Sequence, residues 1–213
     1  MLNTIRWGAT SGVRQLVVMC HGVGADASQM AHFAEPWFRH LPHTAFIAPD
    51  APYPFDFAPG GHQWFSLADR TPSVLQVGAA RATPALNATI DAERDALGLP
   101  DSAIVLAGFS QGAMMVLYAG LRRPNPPGAI LAYSGALLDL PPRPAAWPPV
   151  LLVHGESDAV VPFTRGLEAE RLLRLAGVPI DTCWCRGVEH FVDEAGLSAG
   201  LAILDRLLQV TKQ

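Results

Sequence analysis

Lysine is nearly absent from this chain of 213 residues; Lys212 is the only one. The other basic residues are arginines spread along the sequence, with Arg122-Arg123 the densest pair. That pattern excludes the basic stripe of a nucleic-acid binder and the polybasic anchor of a membrane-surface protein. Long apolar runs are missing too. None approaches the ~18–20 residues of a membrane span. Met1 to Arg6 holds no apolar stretch of the kind that forms a secretory leader, so none is expected. Cysteine is scarce: Cys20, Cys183 and Cys185 are odd in number, and the last two alternate onto one strand face. They are expected to be reduced, buried residues of a cytoplasmic protein, with no metal or redox role. Charge is sparse at 16 % of residues, against 50 % hydrophobic, with a net charge of −4. Disorder is therefore excluded, and a well-buried core is expected in one domain spanning 1–213.

What is present is a series of short apolar runs separated by helical stretches. Leu16–Cys20, Ala45–Ala48, Ala103–Ala107, Ala129–Tyr133, Val150–Val153 and Ile180–Cys185 read as strands, most of them buried on both faces. Asn3–Trp7 reads as a weaker strand. Helices are expected over 28–41, restarted at Pro36, and over 73–97, disturbed by Pro84 and stopped by Gly98 and Pro100. Further helices are expected over 113–121, 163–176 and 194–210. Pro141 to Pro149 reads as a proline-rich surface loop. Strands alternating with helices imply an α/β fold with a mostly parallel central sheet and helices on both faces. Ala51 to Pro72 differs from the rest, being rich in proline, glycine and aromatics. Unstructured loops of about 20 residues are uncommon and tend to be functional.

The chemistry concentrates at Gly108-Phe109-Ser110-Gln111-Gly112, a G-x-S-x-G turn between an expected strand and an expected helix. There a serine sits on a strained elbow, packed so closely that a Cβ at either glycine would clash. A serine hydroxyl needs a base, and the base needs a carboxylate to orient it. On a sheet of this kind the three follow in the order nucleophile, acid, base, each after a strand. Asp158 and His190 meet that order, Asp158 being favoured over Glu156 and Asp193. Of the other histidines, His32, His40 and His43 read as solvated. His21 and His154, each before a glycine at a strand end, read as holding turns, and His62 lies in the 51–72 loop. Two backbone N–H groups should stabilise a developing oxyanion: that of Gln111, and one from His21-Gly22-Val23-Gly24, with Val23 the expected donor. The loop aromatics Phe57, Trp64 and Phe65 are candidate substrate contacts, although packing beneath the loop serves as well for any one of them.

The segments CHGVGADAS, IAPDAP, GGHQWFSL, GFSQGAMM, YSGAL, LLVHGESDAVVP and GVEHF together resemble the phospholipase/carboxylesterase branch of the α/β-hydrolases, which includes the acyl-protein thioesterases. The resemblance spans Cys20 to Phe191. It implies an α/β-hydrolase fold without a large cap domain, a Ser110–Asp158–His190 triad, and oxyanion donors at Val23 and Gln111. It also implies hydrolysis of carboxylic esters without metal or organic cofactor. The sequence departs from the family at His62, where relatives carry a basic residue before the Gln-Trp pair. The expected activity is hydrolysis of small to medium acyl esters. Acyl-thioester or lysophospholipid hydrolysis, or non-catalytic binding of an acyl ligand, are the alternatives. The expected partner is a small-molecule ester, and oligomeric state is not readable.

Overall fold

The computed structural model describes residues 1–142 and 146–210. Arg143 to Ala145, within the expected 141–149 loop, and Lys212 lie outside the described residues. In chain order the elements are β1 (Thr4–Gly8), β2 (Gln15–Cys20), α1 (Ala27–Phe38), β3 (Thr44–Pro49), β4 (Tyr53–Pro54) and β5 (His62–Gln63). Then come α2 (Pro72–Leu97), β6 (Ile104–Phe109), α3 (Gln111–Gly120), β7 (Ala129–Tyr133), β8 (Val150–Gly155), α4 (Phe163–Leu175), β9 (Ile180–Cys185) and α5 (Glu194–Val210).

Seven strands form one sheet in the order β1-β3-β2-β6-β7-β8-β9. Only β1 runs antiparallel, against β3, and every other pairing is parallel. Side chains alternate across each strand, and the core divides accordingly. Leu16, Val18, Ile104 and Leu106 face a cluster holding Leu86 and Ile90 of α2, Val116 of α3 and Leu173 of α4. Val17, Met19, Val105 and Ala107 face the opposite cluster, with Trp37 of α1 and Leu204 of α5. A strand with helices on both sides has no face to leave polar, which is why its sequence reads as an unbroken apolar run. β6 lies at the centre of the sheet, so the turn that follows it lies mid-way along the carboxyl edge.

Two helices differ from expectation at their prolines. α1 runs through Pro36 and ends at Phe38, and α2 continues through Pro84 for 26 residues. Pro84 and Ala80 are both exposed, so the carbonyl that loses its helical partner there can be hydrated. Gly98, at φ 65°, ends α2 as its position suggested. The 51–72 loop is not structureless: β4 and β5 pair antiparallel within it. Its second half is also tied to the turn after β2, where Gly24 N–H donates to the His62 carbonyl (2.8 Å) and His62 N–H to the Ala25 carbonyl (2.7 Å).

Candidate active site

Ser110 occupies the step from β6 to α3 with φ 55° and ψ −118°, a left-handed setting for a non-glycine residue. Such a conformation costs of order 1–3 kcal/mol and persists only where the surroundings impose it. They do so here. The Ser110 N–H donates to the Tyr133 carbonyl of β7 at 2.9 Å. A Cβ on Gly108 would lie 2.3 Å from the Gly112 carbonyl oxygen, and one on Gly112 would lie 2.0 Å from that of Cys20. The two glycines thus let α3 start directly against β6 and β2.

The carboxyl ends of β8 and β9 bring the other two side chains to the same place. His190 Nε2 lies 2.9 Å from Ser110 Oγ, and its Nδ1 lies 2.7 Å from Asp158 Oδ2. With the carboxylate as acceptor, the imidazole proton belongs on Nδ1, leaving Nε2 free to accept from the serine hydroxyl. The His190 ring rests against Phe109, with centroids 4.9 Å apart. The Asp158 carboxylate is fully buried. Its Oδ1 accepts the N–H groups of Val160 and Val161, both at 2.9 Å. Its Oδ2, besides His190, lies 3.4 Å from Nε2 of the buried His154, which donates to the Val161 carbonyl at 2.8 Å. The two rival acids are elsewhere. Glu156 is exposed, and Asp193 accepts the Gly196 N–H at the start of α5. The arrangement can draw the proton from a hydroxyl as it attacks a carbonyl, hold the resulting imidazolium, and return the proton to a leaving group.

Val23 and Gln111 line one cavity with Ser110. Among the described residues neither of their backbone N–H groups donates to a backbone carbonyl in the turns, loops and caps. Gln111 is the first residue of α3, where N–H groups and the helix dipole already favour negative charge. The turn carrying Val23 is fixed by His21, which is buried. The Ala51 N–H donates to its Nε2 at 2.9 Å, so Nδ1 carries the proton and donates to the Gly22 carbonyl at 2.7 Å. Burial, which disfavours the charged form, holds the pKa values of His21 and His154 below the ordinary histidine value. Both hold turns, as their positions suggested.

The three candidate substrate aromatics are placed elsewhere than the cavity. Trp64 has no exposed surface; its Nε1–H donates to the His21 carbonyl at 3.0 Å, and its body joins the core. Phe65 is also in that core, and Phe57 points outward at 64 % exposure. The physical reason is a polar clamp. The side-chain amide of Gln111 accepts the Trp64 N–H (2.9 Å) and donates to the Phe65 carbonyl (2.7 Å), drawing that part of the loop under the surface. The cavity, of about 250 Å³, is instead walled by Leu67, Leu75, Met114, Leu137 and Leu138, with Val160 to Pro162 on one side. Arg70 and Arg165 also line it. Leu75 and Met114 sit on expected helices where each reads as ordinary core, so sequence alone gave no signal for them. Neither His62 nor any metal-ligating cluster joins the site; among the described residues no group of three such side chains gathers anywhere.

A sequence model described as Phospholipase/Carboxylesterase matches residues 8–202. The chain belongs to this family. It is 27 % identical over 188 residues to esterase YpfH of Escherichia coli, covering 88 % of this chain and 81 % of that protein. It is 32 % identical over 172 residues to acyl-protein thioesterase 1 of Schizosaccharomyces pombe, covering 76 % of each. Among solved structures, that of esterase PE8 superposes with a TM-score of 0.90 at 35 % identity, covering 97 % of this chain and 99 % of that one. A carboxylesterase of Bacillus cereus, at 15 % identity and a TM-score of 0.82, shares the fold. The sheet is that of the α/β-hydrolases, and this family member is a carboxylic ester hydrolase.

Proposed function

We propose that the protein is a serine carboxylesterase acting on small to medium acyl esters through an acyl-enzyme. Ser110 is the nucleophile, His190 the base and then the acid, and Asp158 the carboxylate that orients it. The observation carrying this reading is the unbroken contact from Ser110 Oγ through His190 to Asp158, at 2.9 and 2.7 Å. Val23 and Gln111 N–H would receive the tetrahedral oxyanion, each such donor contributing about 2.7–4 kcal/mol to the transition state. The cavity, at about 250 Å³, falls below the ~300–1,000 Å³ of drug-sized ligand sites, which favours short acyl groups over long chains. Three free cysteines suit a reducing, cytoplasmic setting.

Thioester hydrolysis is the second reading, because the relatives include both an esterase and an acyl-protein thioesterase. A thiolate departs without needing a proton, so the same side chains serve both reactions. A panel of matched oxygen and thio esters of rising chain length decides between them by kcat/KM. In wild type a fluorophosphonate is expected to label Ser110. Ser110→Ala should lose labelling and lower kcat by a factor on the order of 10⁶. Unlabelled wild type, binding acyl ligands without turnover, would instead mark a non-catalytic acyl binder.

A further inference from the structure

Two arginines distant in sequence come together at the cavity that holds Ser110. Arg70 ends the 51–72 loop just before α2, and Arg165 lies in the first turn of α4. No aspartate or glutamate is among the described residues lining that cavity. Both arginines are exposed, and among the described residues Arg70 has no ion-pair partner. Arg165 pairs only with Glu168, at 3.1 Å on the surface. Asp69, next to Arg70, turns its carboxylate to the Thr71 N–H (2.8 Å).

The helix dipole gives no reason for these positions. A cation at a helix N-terminus opposes the dipole, where an acidic residue would be favourable. Neither α2 nor α4 has an acidic residue in its first turn, and neither has a side-chain N-cap bond. Each helix start therefore adds positive potential to the guanidinium beside it. Apart from Ser110 and Gln111 the other lining side chains are apolar, so these charges act beside a low-dielectric surface that weakens screening. A chain of net charge −4 thus presents a cationic rim at its reactive serine.

The geometry points to esters carrying a negative charge, a carboxylate or phosphate a few bonds from the scissile carbonyl, as the preferred substrates, held by Arg70 and Arg165. This rests on the esterase reading and names its substrate class. Two matched pairs test it: p-nitrophenyl hexanoate against the p-nitrophenyl monoester of adipic acid, and monobutyrylglycerol against its glycerophosphate counterpart. The first pair reports a carboxylate on the acyl tail, the second a phosphate on the alcohol. The readout is the anionic-to-neutral ratio of kcat/KM, with Ser110→Ala subtracted as background.

In wild type the ratio is expected to exceed unity in at least one pair. Raising salt from about 0.1 M to about 1 M, which shortens the screening length from about 10 Å to about 3 Å, should reduce it. Arg70→Gln and Arg165→Gln should each lower the ratio roughly two- to five-fold, the scale of an exposed ion pair. Glu168→Gln, which frees Arg165, should raise it. Arg39→Gln, an exposed arginine outside the lining of that cavity, should leave it as in wild type. A ratio at or below unity in both pairs overturns the proposal, as does a preference that persists without salt dependence in the arginine variants. Absence of turnover on all four esters with no labelling of Ser110 would instead overturn the esterase reading itself.

Discussion

At the scale of single residues, the most constrained group beside the serine is the Asp158 carboxylate. One oxygen is held by two backbone N–H groups, and the other is shared by His190 and, at longer range, His154. His154 also secures the Val161 carbonyl, so it steadies the peptide whose N–H groups hold Asp158. It is a positioning residue, and its ring packs closely on Gly166, where a Cβ would come 3.0 Å from Nδ1. His154→Phe keeps the ring but removes the donor. It should cost about 1–3 kcal/mol of stability, the penalty for a buried carbonyl left unpaired. It should also lower kcat about ten-fold with little change in KM, since the lost contacts reach the chemistry through Asp158 alone. His154→Gln, which retains an N–H, should recover part of kcat. A variant that loses stability but keeps full kcat would reduce His154 to a turn-holder. The order of Ser110, Asp158 and His190 was legible because each follows a strand, a spacing that sheet topology dictates. The approach of His154 to Asp158 was not, because a contact across a tight turn leaves no periodic trace.

At the scale of elements, the 51–72 loop shows why composition misled. Aromatics among prolines and glycines suit a groove or a core equally well, and what decides between them is the partner of a polar atom. The Trp64 indole N–H meets the His21 carbonyl, and its backbone N–H meets Gln111. Gly61 passes so near the Gly24 carbonyl that a Cβ would lie 2.2 Å from its oxygen. The loop is therefore bound to both turns that carry the expected oxyanion donors. Trp64→Ala should behave as a core deletion, costing about 3–5 kcal/mol, in place of the simple rise in KM expected of a groove wall. Gln111→Leu keeps the backbone N–H of residue 111 but strands the Trp64 N–H and the Phe65 carbonyl. Each stranded group should cost about 1–3 kcal/mol. Urea denaturation of both variants, beside their KM for a short ester, checks the assignment. A large rise in KM with unchanged stability would return Trp64 to the groove.

For the whole molecule, the apolar runs revealed a parallel sheet, but strand order and the reversal of β1 were not encoded in any local pattern. They follow from which runs pair, which only the assembled core decides. The same assembly buries His21 and His154 as neutral turn-holders on the two sides of the site, and that links folding to pH. Folding removes them from water, so their folded pKa values lie below the unfolded value of about 6.5. Between the two values the unfolded chain binds more protons than the native one. Stability is therefore full above about pH 6.5 and falls as the medium is acidified below it. The slope reaches at most about 1.4 kcal/mol per pH unit for each histidine. The carboxylates act lower. Burial opposes ionisation of Asp101, but its bonds to Arg123 and Arg94 outweigh that and leave its pKa depressed, so its contribution is lost only below about pH 4. Urea midpoints taken from about pH 8 down to about pH 5 should thus fall well before the carboxylates titrate. His154→Gln should flatten part of that limb, leaving the portion due to His21. A midpoint constant down to about pH 5 in wild type would mean that the native fold accepts both protons, and then His21 could not be accepting the Ala51 N–H, a contact that requires its neutral form.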